Sequence, residues 1–269
     1  SRGDVLVFSD LDAILAPDAL THLLAPFADP AVGGVCGQRV IGELRGELRE
    51  GQSDYIRSDS AMKAWESRTG SLTSNDGKLY AIRRELFAPI PDGVTDDLYN
   101  ALTVVRSGHR FVFAPQAKAF IATPSRSPGH ELRRRRRIVC RSLNGLWKHR
   151  AVMNPFRHGV FAVRLAVNKV WRRLMPFALL AMIASSALLA TRHPPAHALF
   201  ALLLLSVAGA GAGFLSFPFP KAVRRAATAA AYFWIGNLGT LLGCVDFVAG
   251  RRYVTWEPLK GRVGQATDA

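Results

Sequence analysis

Three long apolar stretches, at about 174–191, 197–217 and 226–249, follow one another in the C-terminal part of this 269-residue chain. Each approaches the ~20 residues that an α-helix needs to cross the hydrocarbon core of a bilayer. One such stretch fits a helix buried in a globular core. Three in succession, separated by short polar or basic clusters, fit a membrane. The charge balance suits a protein that sits against an anionic surface: Lys and Arg number 35 against 20 Asp and Glu, a net charge of +15, in a chain that is 49% hydrophobic. A basic nucleic-acid binder is hydrophilic overall, and no recognisable RNA- or DNA-binding module accompanies the basic residues, so nucleic acid is not an expected partner. Cys36, Cys140 and Cys244 are odd in number and far apart, which gives neither a disulfide framework nor a metal cluster and leaves reduced, incidental thiols.

The first 128 residues read differently. A short β-rich run from Asp4 to Phe8 leads into Ser9-Asp10-Leu11-Asp12, and Pro17-Asp18 then opens a helix. Gly33 to Gly42 reads as a strand and Gln52 to Glu66 as a helix. Another strand begins near Tyr80, Thr95 caps a helix reaching about Ser107, and Phe111 opens one more strand. Alternating strands and helices predict a three-layer α/β domain. The chain enters it at Ser1 with no charged n-region or signal peptide, and reads as a piece lacking its N-terminal part. Residues 129–173 follow as basic and amphipathic helices. His130 to Arg150 is strongly basic, and between Val160 and Arg173 the residues Phe161, Leu165 and Val170 interleave with Arg164, Lys169 and Arg172, a pattern suited to an anionic membrane surface. Residues 174–250 form the transmembrane region and 251–269 a tail. Three full crossings from a cytosolic domain would put that tail outside, whereas Arg251, Arg252, Lys260 and Arg262 favour the inside, so either one apolar segment is interfacial or re-entrant or the number of spans differs from three.

Three motifs carry chemistry. Asp10 and Asp12, two apart at the end of an apolar strand, can point into the crevice where open α/β sheets bind ligands. Their hard oxygens suit Mg²⁺ or Mn²⁺ carrying a diphosphate, although a turn before the helix would also use Asp12. Asp96 and Asp97 open a helix after Thr95, where acids are favoured by the free N–H groups in any case. A carboxylate held there is equally able to accept the proton of an attacking hydroxyl. Arg133 to Arg137 is an unbroken run of five arginines on a helix. Most of them would face lipid headgroups or water, with at least one available to clamp diphosphate oxygens.

The order of these elements is more specific than any one of them. Asp-x-Asp follows a strand, Thr-Asp-Asp comes about 85 residues later, an arginine-rich helix about 40 residues beyond, and spanning helices close the series. With FSDLDAILAPDAL at 8–20, GKLYAIRRELF at 77–87, TDDL at 95–98, RRRRRI at 133–138, NKVWRRLMP at 168–176 and VTWEPLKGR at 254–262, the chain resembles the family 2 membrane glycosyltransferases, the group of cellulose, hyaluronan and poly-N-acetylglucosamine synthases. The resemblance implies a GT-A-like domain, partial here because the portion that binds the nucleoside base precedes the Asp-x-Asp. It implies an enzyme of the cytosolic face of the inner (plasma) membrane that transfers a sugar, with inversion, from a nucleotide-sugar donor to a growing polysaccharide. Asp10 and Asp12 would bind Mg²⁺ or Mn²⁺ and the donor diphosphate. Asp97 would be the catalytic base with Asp96 beside it, and Arg134 and Arg137 would support the departing diphosphate. Thr255 and Trp256 would belong to a gating tail. Two positions depart from the family's Gln-x-x-Arg-Trp pattern, Arg134 standing for Gln and Ile138 for Trp, and the second leaves room for a lipid acceptor, a ceramide or polyprenyl phosphate. From a different class, a non-catalytic transporter subunit or scaffold is the alternative.

Overall fold

The computed structural model describes residues 2–41, 48–121, 128–212 and 220–254. In chain order the elements of the α/β part are β1 (Val5–Ser9), β2 (Ala13–Leu15), α1 (Ala19–Leu24), β3 (Val32–Ile41), α2 (Leu48–Arg68), β4 (Leu79–Arg83), α3 (Asp96–Arg106) and β5 (Arg110–Ile121). The strands form one mixed sheet in the order β1-β4-β3-β5-β2, parallel between β3 and β5 and antiparallel elsewhere. Period-two alternation divides each strand between two cores. Tyr80, Ile82, Phe111 and Phe113 face Leu98 and Leu102 of α3, whereas Leu79, Ala81, Val112 and Ala119 face Ala19 and Leu23 of α1. The expected three-layer architecture is therefore present. Its order was hidden in the sequence because β2, an edge strand of three residues, pairs with the distant β5.

The helical part comprises α4 (Pro128–Lys148), α5 (Pro155–Leu165), α6 (Arg172–Leu189), α7 (Pro194–Ala212) and α8 (Lys221–Val248), with a π-helical turn at Ala166–Trp171 joining α5 to α6. Gly159, at φ 52°, bends the first of these runs near its start. Three helical runs are long and apolar enough to cross a membrane: Pro155–Leu189, Pro194–Ala212 and Ala222–Val248. The amphipathic stretch expected to lie on the surface is thus continuous with the first apolar segment.

Two features hold α8 to α4 within this part. Gly236, Gly239 and Gly243 line the face of α8 that meets α4. A Cβ at Gly243 would lie 2.7 Å from the Arg136 carbonyl oxygen, and one at Gly239 2.9 Å from Arg135 Cβ. Absence of side chains at these positions lets the two helices touch backbone to backbone. Beside the ridge, Arg136 grips Asp246 through Nε (2.5 Å) and a terminal nitrogen (2.7 Å), and Tyr253 donates to the same carboxylate at 2.5 Å. Asp246 is 2% exposed, so its charge is held by three partners, counting Arg251 at 3.5 Å. Arg136 consequently points into the protein, a correction to the lipid-facing or solvated orientation expected for most of the arginine run. Cys36 and Cys140 are buried and all three cysteines are free.

Candidate active site

The Asp-x-Asp segment is the three-residue loop between the edge strands β1 and β2, at the carboxyl end of β1. Pairing of β1 with β4 sets Ser9 opposite Leu79, and the Ser9 hydroxyl donates to the Lys78 carbonyl at 3.2 Å. Lys78 is thereby held beside the two acids, with its Nζ 2.6 Å from Asp10 Oδ2 and 3.1 Å from Asp12 Oδ1. Two carboxylate oxygens that converge on one ammonium can also converge on a metal ion. That convergence and the hard oxygen donors fit Mg²⁺ or Mn²⁺, with waters and donor phosphate oxygens completing the shell. Among the described residues no three His, Cys, Asp or Glu side chains gather as a metal site of their own.

The second acidic pair lies next door. A Cβ at Gly77, the neighbour of Lys78, would stand 3.5 Å from Asp97 Cβ and 3.7 Å from Oδ2, so the loop that carries Lys78 passes directly beside the Asp97 side chain. Asn75 donates to the Asp97 carbonyl at 3.1 Å. Thr95 occupies the N-cap position of α3, but its hydroxyl makes no capping bond, a correction to the sequence expectation. Instead Asp97 Oδ1 accepts the Leu98 N–H at 2.7 Å. Burial first, and then the neighbouring charge of Asp96, push the Asp97 carboxyl up to about 6, against the opposing pull of the Leu98 N–H and the Lys169 ammonium. Asp96, by contrast, is exposed.

Two loops, the one between α2 and β4 and the one before α3, are braced from the helical side. Lys169, on the π-helical turn, donates to Ser74 Oγ at 3.0 Å, and Asn168 donates to Thr73 Oγ1 at 2.7 Å. Arg141 of α4 directs Nε (2.8 Å) and a terminal nitrogen (2.5 Å) at the carbonyl of Val94, the residue preceding Thr95-Asp96-Asp97. Arg134 and Arg137 lie about two turns and one turn before Arg141 on the same side of α4, at spacings of seven and four. Arg134 lies 3.6 Å from Glu131. The chain following α8 comes to the loop before α3, because a Cβ at Gly93 (φ 75°) would stand 3.2 Å from Arg252 Cβ. Thr255 and Trp256 lie outside the described residues. Sequence reasoning overlooked Lys78 and Arg141, and it expected Lys169 at an anionic membrane surface, whereas the structure turns that side chain onto Ser74. Lys78 lies inside a quoted motif but has no spacing signal, and Arg141 is separated from the arginine run by three residues.

This arrangement and its sheet define a class before they define a family. The chain matches, over 93% of its length and 64% of the other chain, the mannosyltransferase PcManGT from Pyrobaculum calidifontis in complex with GDP-Man and Mn²⁺, with a TM-score of 0.60 and 23% identity. The shared architecture is a GT-A-like glycosyltransferase fold followed here by apolar helices. Residues 5–214 match the family described as Glycosyl transferase family group 2, and the chain belongs to that family. An N-acetylglucosaminyltransferase from Mesorhizobium japonicum is 27% identical over 152 residues, which are 51% of this chain and 35% of that protein. The chain thus spans about a third of the length of this curated relative and just under two thirds of the solved one.

Proposed function

We propose that this chain carries the transfer site of a membrane-bound, inverting glycosyltransferase that moves a sugar from a nucleotide-sugar donor to a growing glycan at the cytosolic face of the inner membrane. The observation that carries this reading is the run from Asp10 and Asp12 through Lys78 and Gly77 to Asp97, which sets a metal-competent carboxylate pair beside a separate, proton-accepting carboxyl. Asp97 takes the proton of the acceptor hydroxyl as that oxygen attacks the sugar. Its raised proton affinity leaves it ionised above pH of about 6 yet basic enough to accept a proton. Asp96 keeps that affinity high. Asp10 and Asp12 hold Mg²⁺ or Mn²⁺, which neutralises charge on the departing nucleoside diphosphate. Arg134 and Arg137 support the same leaving group, and Thr255 and Trp256 are assigned to a gating tail.

The end of α8 lies at the level of the start of α6, because Cys244 Sγ lies 3.9 Å from the Arg173 carbonyl oxygen. Chain entry and exit at one level imply an even number of full crossings, with the remaining apolar helix partly interfacial.

One feature favours a second acceptor, a lipid phosphate. A groove of about 460 Å³ between α4, α6 and α8 sets Arg135 and Arg172 against Trp171, Met175, Tyr232 and Phe233, pairing cations for a headgroup with apolar walls for a chain. The test is a donor screen with the full-length protein in detergent, Mn²⁺ or Mg²⁺ and a panel of nucleotide sugars, following nucleotide release and the anomeric configuration of the product. Release with one donor and an inverted product is expected, and a polymeric rather than solvent-extractable product distinguishes glycan from lipid acceptor. Absence of metal-dependent release with every donor and acceptor would refute the proposal.

A further inference from the structure

Lys78 is a cationic residue beside Asp10 and Asp12 to which no role in transfer has been assigned. Its position is built: the Ser9 hydroxyl holds its carbonyl, and β1–β4 pairing fixes the next residue. Its side chain is 23% exposed, while those of Asp10 and Asp12 are 50% and 63% exposed, so the cation is more sheltered than the acids it bridges. Surface ion pairs between flexible partners are weak, but one ammonium shared by two carboxylates on a short loop holds both oxygens on one point.

A divalent ion cannot join this arrangement unchanged. Mg²⁺ needs carboxylate oxygens at about 2.0–2.1 Å in near-octahedral geometry. It would seek the oxygens that now lie 2.6 and 3.1 Å from Lys78 Nζ, and two cations on the same oxygens repel one another. We infer that Lys78 is a built-in counter-ion of the Asp10/Asp12 pair which a divalent metal displaces, and that the displaced ammonium then binds the donor diphosphate. The inference rests on the proposed role of this pair as the metal site. Displacement strips Lys78 of both anionic partners at the moment when phosphate oxygens arrive with the metal, and an ammonium is a good point-charge partner for phosphate. Metal alone therefore binds against the lysine. Metal with diphosphate binds with it, so each ligand strengthens the other.

The experiment is a Mn²⁺ titration of the full-length protein in detergent, followed by the electron paramagnetic resonance signal of free Mn²⁺, with and without UDP or GDP. Lys78→Met is expected to bind Mn²⁺ alone about tenfold more tightly than wild type and to lose most of the enhancement by nucleoside diphosphate, a coupling that typically spans about 5–150-fold. Lys78→Gln should behave alike and guards against a folding defect in either variant, and Lys78→Arg, which keeps the charge, should stay near wild type. Unchanged Mn²⁺ affinity in both neutral variants, with Asp10→Asn and Asp12→Asn abolishing binding, would overturn the role of Lys78 and leave the metal site intact. Mn²⁺ binding indifferent to Asp10→Asn and Asp12→Asn would overturn the inference together with the reading beneath it.

Discussion

Replacing the ridge glycines of α8 one at a time by alanine tests whether docking of α4 on this helix sets the position of the acidic loop. An added methyl has two opposing effects. Alanine favours the helix over glycine by about 1 kcal/mol, whereas forcing a methyl into a filled site costs ~1–3 kcal/mol. At Gly243 the new Cβ would lie 2.7 Å from both the Arg136 carbonyl oxygen and Val139 Cβ, so a backbone atom and the first atom of a side chain would have to retreat. The cost wins there. At Gly239 the nearest atom is Arg135 Cβ at 2.9 Å, and the balance lies between. At Gly236 the nearest atom is an Arg135 terminal nitrogen at 3.2 Å, the far end of a flexible side chain that can swing aside, so the helix preference wins. Thermal unfolding of the full-length protein in detergent should place Gly243→Ala several degrees below wild type, at roughly 2–4 °C per kcal/mol for a domain of this size, and Gly236→Ala at or slightly above it. Since Arg141 reaches Val94 from the same helix, Gly243→Ala should also lose turnover while Gly236→Ala keeps it. Equal melting of the two variants, or a more stable Gly243→Ala, would refute the close-packing argument.

Asp96→Asn removes the neighbouring charge that raises the Asp97 carboxyl, so the acidic limb of the kcat/KM profile, expected near pH 6, should move to lower pH; an unmoved limb would separate it from Asp97. His149 is buried against Tyr99, with Thr103 Oγ1 at 3.3 Å, and burial together with the Arg106 and Lys148 charges pushes its imidazole down to about 4. The unfolded chain binds that proton near pH 6.5 and the folded one does not, so this contribution to stability is complete above about pH 6.5 and is lost toward pH 4. A His149→Gln variant should show a shallower loss across that window in denaturant melts. Asp246→Ala leaves Arg136 without its carboxylate and should destabilise by about 3 kcal/mol, read as a lower midpoint in thermal or denaturant melts.

Much of the α/β half was legible because its signals are local. The apolar run before Asp10 and the first-turn acids at Asp96 and Asp97 announce a strand end and a helix start from a few neighbouring residues, and both stand where expected. The partners of those acids were not legible. Lys78 meets Asp10 and Asp12 only because β1 and β4 pair in a particular register, which no nearby spacing encodes. The Arg136–Asp246 pair joins residues 110 apart, and a run of five arginines looks solvated until a buried carboxylate is found opposite one of them. Hydropathy located the apolar helices but not the glycine ridge, since glycines in an apolar stretch mark close approach only once a second helix is known to lie there.

The most direct measurement of the central claim is sugar transfer and donor binding by the full-length protein carrying Asp97→Asn, under the metal and donor conditions that support the wild type. An amide preserves the shape of the side chain, and its neighbours can still hold the loop, but it cannot accept a proton. Turnover should fall by about 10²–10⁴-fold, with the donor bound as tightly as by wild type and with Asp96→Asn affected far less. Full turnover in Asp97→Asn, or a larger loss in Asp96→Asn, would contradict the assignment of Asp97 as the base.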